Sequence, residues 1–144
     1  MNKEMYFEQY KMLVDSAERV SDKRMNANNY FLTINTALIS ITGLLISSNF
    51  ITIKPWFVKL VGGMGVAICF IWFLIVWSYK QLNAGKFKMI HKLEKKLPIK
   101  LFAEEWKFLG EGKDIKKYFP LSHIEVGVPI VFAVLYLILL FMKI

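Results

Sequence analysis

The chain has one cysteine, four prolines and two histidines in 144 residues, and each scarcity removes a class of explanation. The lone Cys69 cannot close an intramolecular disulfide, and in the middle of an apolar run it reads as a small packing residue. His91 and His123 stand apart, so no Cys/His cluster has metal-ligand spacing, and neither a metal nor any other cofactor is expected. Ser-His-Asp, Cys-His and HExxH arrangements are missing, and Gly110-Glu111-Gly112-Lys113 lacks the strand and helix that frame a phosphate loop. An enzyme is therefore not expected. Proline and glycine are absent from residues 1–42, so nothing in that stretch forces a helix to break.

Apolar residues are abundant instead. They make up 56% of the chain, with 12 Phe, 6 Tyr and 4 Trp, against a usual apolar share of about 45–50% in soluble domains. Three runs hold the excess: residues 30–50, 56–79 and 124–144. Each is close to the length needed to cross a bilayer, since about 20 residues at roughly 1.5 Å rise span a hydrocarbon core of about 30 Å. The expected fold is all-α: an integral membrane protein with three transmembrane helices, a long N-terminal helix continuing into the first span, and a small helical cytoplasmic region. Its divisions are an amphipathic helix over 1–29, spans over 30–50, 56–79 and 124–144, an outside turn over 51–55 and a basic cytoplasmic segment over 80–123.

Charge gives this arrangement a direction. The net charge of +8 is concentrated between Lys80 and His123, where eleven Lys face five acids, whereas the N-terminal residues to Asn29 balance five against five. Short loops rich in Lys and Arg stay in the cytoplasm. The N-terminus is thus expected inside and the C-terminus outside the bacterial inner membrane. A cleaved signal peptide is not expected, because the first apolar run starts about thirty residues in and follows five acids. Nucleic acid is not an expected partner, since the aromatic residues near the lysines fall at helix-core spacing rather than as a stacking platform.

Within the first span, Asn29, Thr33, Thr36, Ser40, Gly43 and Ser47 recur at spacings of four and three, which places them on one helix face. The opposite face carries Phe31, Ile34, Leu38, Ile41 and Leu45 and is expected to meet lipid. Helix packing, a wet lumen and substrate coordination are the readings for the small polar stripe, in falling order. Asn35 lies off the stripe and inside the span, where its amide needs a partner, so an interhelical contact is expected there. The stripe extends back through Asn26, Asp22, Arg19 and Asp15 if one helix runs from about Met5 to about Ser48. A break at Asn26–Asn28–Asn29 is the alternative, because Asn favours caps and turns. In the second span, Gly63/Ala67 and Gly65/Cys69 are small-xxx-small pairs that permit close helix approach.

Outside the spans, Tyr6, Tyr10, Leu13, Ala17 and Val20 form an apolar seam expected to pack against Leu82, Met89, Leu93 and Leu97. Pro98 should end the second helix, and a short helix over 103–109 should turn Trp106 and Leu109 inward before the Gly110–Gly112 break. Asp15, Glu18, Arg19, Asp22 and Arg24 are a solvated face with local ion pairs or, more sharply, an intersubunit salt-bridge ring. Lys80, Lys88, Lys92 and Lys95 suit acidic lipid headgroups, although positive-inside topology alone accounts for much of their number. Ser122 and Glu125 match a capping box at the start of the third span, and Pro129 should bend that helix.

Several stretches together resemble a known family: Glu18-Arg19-Val20-Ser21-Asp22-Lys23-Arg24, Asn28 through Thr36, Tyr79-Lys80-Gln81-Leu82-Asn83 with Lys86-Phe87, Glu105-Trp106, Tyr118, Pro120-Leu121, Glu125 and Pro129. They resemble the bacterial RipA-like octameric membrane proteins over almost the whole chain. The resemblance implies a small inner-membrane protein forming an eight-subunit ring, associated in part with intracellular growth and stress adaptation and without a settled biochemical activity. The functional expectation is a non-enzymatic homo-oligomeric ring that acts as a scaffold or channel-like assembly among membrane lipids. The alternative is a membrane-anchored sensor or adaptor that recruits a cytosolic partner through residues 80–117.

Overall fold

A computed structural model describes residues 2–48, 52–118 and 120–143. The described chain is helical: α1 spans Lys3–Ser47, α2 Pro55–Glu94, α3 Leu101–Phe108 and α4 Leu121–Phe141, with a 3-10 turn at Gly110–Gly112. Helices α1, α2 and α4 are each long and apolar enough to cross a membrane. Phe50, Ile51 and Ile144, at the expected ends of the first span, the outside turn and the third span, lie outside the described residues, as does Met1.

Helix α1 runs unbroken through Asn26, Asn28 and Asn29. The Asn28 side chain does not compete with the backbone there, because its Oδ1 accepts a hydrogen bond from Trp72 Nε1 at 2.8 Å. Helix α2 opens at Pro55, a residue suited to a first helical position, and ends at Glu94, four residues before Pro98.

The chain divides into two compact units, residues 1–24 with 78–123 and residues 25–77 with 124–144. The second contains the apolar stretches and is the spanning unit. In it, α1 and α2 are antiparallel, pairing Asn28 with Trp72 and Asn35 with Cys69. Helix α4 lies antiparallel to α2, with Tyr136 and Leu140 against Gly65 and Gly62 and Phe132 beside Trp72. Trp72 is the largest buried side chain, with Phe31 stacked on it at 5.8 Å. Pro129 is buried inside α4, which continues through it as one helix.

In the first unit, α1 and α2 are again antiparallel, and Tyr10, Ala17 and Ile90 form the core with Leu13, Phe87, Leu93, Leu97 and Phe102 around it. Leu93 and Leu97 pack as expected, but Leu82 and Met89 are exposed. The inward face of α2 is turned toward Asn83 and Lys86, which bond Ser21 at 3.4 Å and Ser16 at 2.6 Å. Helix α3 begins two residues earlier than expected, and Trp106 is exposed rather than inward, its ring edge over Gly112. The break after α3 holds three consecutive left-handed residues, Gly110, Glu111 and Gly112, at φ 77°, 55° and 75°. Glycine accepts that conformation without steric cost and stops the helix.

Candidate functional site

Each unit has a buried polar centre. In the spanning unit, fully buried Asn35 joins three helices. Its Oδ1 accepts from the Tyr136 hydroxyl at 2.9 Å and faces Cys69 Sγ at 3.7 Å, while its Nδ2 donates to the Phe31 carbonyl at 2.7 Å. An amide in hydrocarbon must find such partners within the protein. Tyr136 was not singled out from the sequence. Its signal is weak: a single hydroxyl in a run of Val, Leu and Ile, placed where Asn35 needs a donor.

The inward face of α1 in this unit follows Asn35. Thr42 is buried with it, its hydroxyl donating to the Leu38 carbonyl at 2.7 Å. Phe31, Ile34, Leu38 and Leu45 are half-buried inside the subunit, and Ile41 is exposed. The expectation that this apolar face meets lipid is corrected: it is largely the packing face of the subunit itself. Asn29, Thr33, Thr36, Ser40, Gly43 and Ser47 are all exposed on the subunit surface. The small residues of α2 divide between two neighbours, Gly65 receiving α4 and Cys69 facing Asn35 of α1. Gly65 and Cys69 are buried, Gly65 directly beneath the Tyr136 ring, whereas Gly63 and Ala67 are exposed. Gly62, which falls in neither small-residue pair, is the other close approach. A Cβ there would stand 3.0 Å from the Leu140 nitrogen and the Tyr136 carbonyl oxygen.

In the first unit the centre is Glu94, fully buried. Its carboxylate accepts from Tyr10 Oη at 3.0 Å and from the backbone amides of Phe102 and Ala103 at 2.8 and 3.1 Å. Those amides belong to the first turn of α3, whose N-cap residue Lys100 supplies no side-chain cap. Glu94 therefore caps a helix that starts seven residues later, where a negative charge is favoured by the exposed amides and the helix dipole. Burial, the hydrogen bond to Glu94 and the carboxylate's charge push the Tyr10 hydroxyl up to about 12. Tyr6 adds an edge contact, with Lys96 over its ring and bonded to its hydroxyl. Glu94 is the only acid between Lys80 and Ala103, and that isolation was the available sign.

Of the charged residues singled out on α1, Asp15, Glu18, Arg19 and Asp22 are exposed and Arg24 is half-buried. Lys80 is half-buried and Lys88, Lys92 and Lys95 are exposed. Helix α4 starts at Leu121, so Ser122 lies inside its first turn instead of at the cap. Among the described residues no group of three His, Cys, Asp or Glu is placed to hold a metal ion.

Three helices long and apolar enough to cross a membrane, tied through a buried amide, define a polytopic α-helical membrane protein. The chain matches the family model for the octameric membrane protein family over residues 7–144, and it belongs to that family. No curated protein and no solved structure matches it.

Proposed function

We propose that this chain is a non-enzymatic subunit of a homo-oligomeric ring in the bacterial inner membrane, with its N-terminus in the cytoplasm and its C-terminus outside. The ring works as a scaffold or channel-like assembly, and the stripe on α1 faces a neighbouring copy or the ring's centre. The observation that carries this reading is the outward position of all six stripe residues on the subunit. The membership of the octameric family supports it.

Thr33 and Ser47 already donate to carbonyls of their own helix, at 2.8 and 3.1 Å. What the stripe offers a neighbour is therefore small size and spare acceptor capacity, which suits close helix packing. Native mass spectrometry in mild detergent tests the assembly, and a mass corresponding only to monomer overturns it. Liposome flux separates the two forms of ring. A channel conducts and is blocked by Thr36→Leu with Ser40→Leu, whereas a scaffold shows no flux to block.

The exposed lysines on the extramembrane part of α2 favour a second reading, in which Lys88, Lys92 and Lys95 recruit an acidic cytosolic partner. Charge reversal at the three positions should abolish partner recovery in a pull-down. Unchanged recovery removes this reading.

A further inference from the structure

A cyclic ring of identical subunits joins them head to tail, so every copy must present two different and complementary surfaces. The first unit carries such a pair. One is a groove of about 250 Å³ to which α1, α2 and α3 all contribute. Val14, Phe87, Ile90 and Phe102 make it apolar, and Glu18 and Asp22 border it as exposed carboxylates. The other is a knuckle at residues 114–118. There the Asp114 carboxylate accepts from the Lys116 amide at 3.0 Å, and the Asp114 carbonyl accepts from Lys117 and Tyr118 at 3.2 and 3.1 Å. The turn holds Asp114 back and leaves Ile115 73% exposed, followed directly by exposed Lys116 and Lys117.

The two surfaces are inverses: an apolar hollow with an acidic border, and an apolar tip beside two cations. They do not satisfy each other within one subunit, since the hollow is open and the tip is bare. We propose that the Ile115–Lys117 knuckle of one copy seats in the Glu18/Asp22 groove of the next. Ile115 then buries against Phe87 and Phe102, and the lysine ammonium groups lie near the two carboxylates. An anionic lipid surface would accept the knuckle alone, but it would repel the groove. A second copy uses both. This inference rests on the homo-oligomeric reading and names the contact that closes it.

The test is cross-linking of the full chain in membranes or mild detergent. Ser21 lines the same groove, and a Ser21→Cys, Ile115→Cys double variant should give, under mild oxidation, a reducible ladder of covalent multimers up to the complete ring. A mixture of the two single variants should give covalent pairs and nothing larger, because each copy then carries only one half of the contact. Separately, Lys116→Glu with Lys117→Glu should disperse the ring, and adding Glu18→Lys with Asp22→Lys should restore it, which guards against a cysteine variant that misfolds.

A native mass showing the ring, with no ladder and no charge-swap rescue, overturns this contact while leaving the homo-oligomeric reading intact. A monomeric mass for the unaltered chain overturns both. A fluorophore on the Ile115→Cys variant that is quenched by lipid-borne quenchers assigns the knuckle to the membrane surface and also overturns the contact.

Discussion

The Tyr136 hydroxyl donates to Asn35 Oδ1 at 2.9 Å, joining α4 to α1 through an amide that is fully buried. Interhelical hydrogen bonds in membranes average about 0.6 kcal/mol and reach about 1.7, so Tyr136→Phe should lower subunit stability within that range. Asn35→Leu should cost more, because the Tyr136 hydroxyl and the Cys69 thiol both lose an acceptor. The Asn35 backbone carbonyl, 3.4 Å from the same hydroxyl, remains as a poorer partner and limits the loss. Unfolding in mixed detergent, followed by tryptophan fluorescence, checks the order of the two variants.

Glycines on opposite faces of α2 should respond with opposite sign. At Gly65 a Cβ would enter the Tyr136 ring, and at Gly62 it would meet backbone atoms of α4 that cannot rotate away. Overpacking of this kind costs about 1–3 kcal/mol, so Gly62→Ala and Gly65→Ala should both lower the thermal midpoint. Gly63 has open space around its missing side chain. Gly63→Ala should raise helix stability by up to about 0.5–1 kcal/mol. A drop in midpoint for Gly63→Ala equal to that of Gly65→Ala would contradict the α2–α4 packing.

The Glu94 centre makes a pH prediction with a definite sign. Tyr10 ionises near 10 when free and at about 12 in the fold. Its raised value means that the protonated hydroxyl is the stabilising form. The contribution is fully present below pH 10 and is lost as the pH rises toward 12. The stability difference between the native chain and Tyr10→Phe should therefore be constant through neutral pH and shrink from pH 10 upward. Hydrogen bonds to a charged acceptor contribute about 1.5–3 kcal/mol. Glu94→Leu removes that acceptor, so it should exceed Tyr10→Phe at pH 7 and loosen α3 first, read as faster amide exchange at Phe102 and Ala103.

Much of this architecture was legible because its causes are local. A stretch without Pro or Gly gave the unbroken α1, three apolar runs gave the spans, and the mid-span amide of Asn35 pointed to an interhelical bond. Facing was harder to read. Polarity suggested that the Thr and Ser stripe would find the nearest neighbour, but Thr42 satisfies its own hydroxyl on Leu38 and so tolerates burial. Size, more than polarity, then decides which face of α1 meets Trp72. The α2 glycines were legible in part. Four-residue pairing picked out Gly65 with Cys69, which are buried, and Gly63 with Ala67, which are exposed, whereas α4 crosses at Gly62 and Gly65, three apart. Glu94 was hidden among lysines, because a side chain that caps a later helix has no periodic signature.

The two faces of α1 should separate folding from assembly. Thr36 and Ser40 are exposed on the subunit. Surface changes of that kind usually alter stability by less than about 0.5 kcal/mol, so Thr36→Leu with Ser40→Leu should leave the unfolding of isolated subunits unchanged. At a close helix interface, however, two added isobutyl groups have no room where small residues allowed contact. The same pair should shift the native mass distribution away from the assembled state. Thr42→Leu is the counterpart on the inward face, where overpacking should lower subunit stability by about 1–3 kcal/mol. Native mass spectrometry and detergent unfolding on the same samples distinguish the two. An unchanged assembly for Thr36→Leu with Ser40→Leu would place the stripe against lipid.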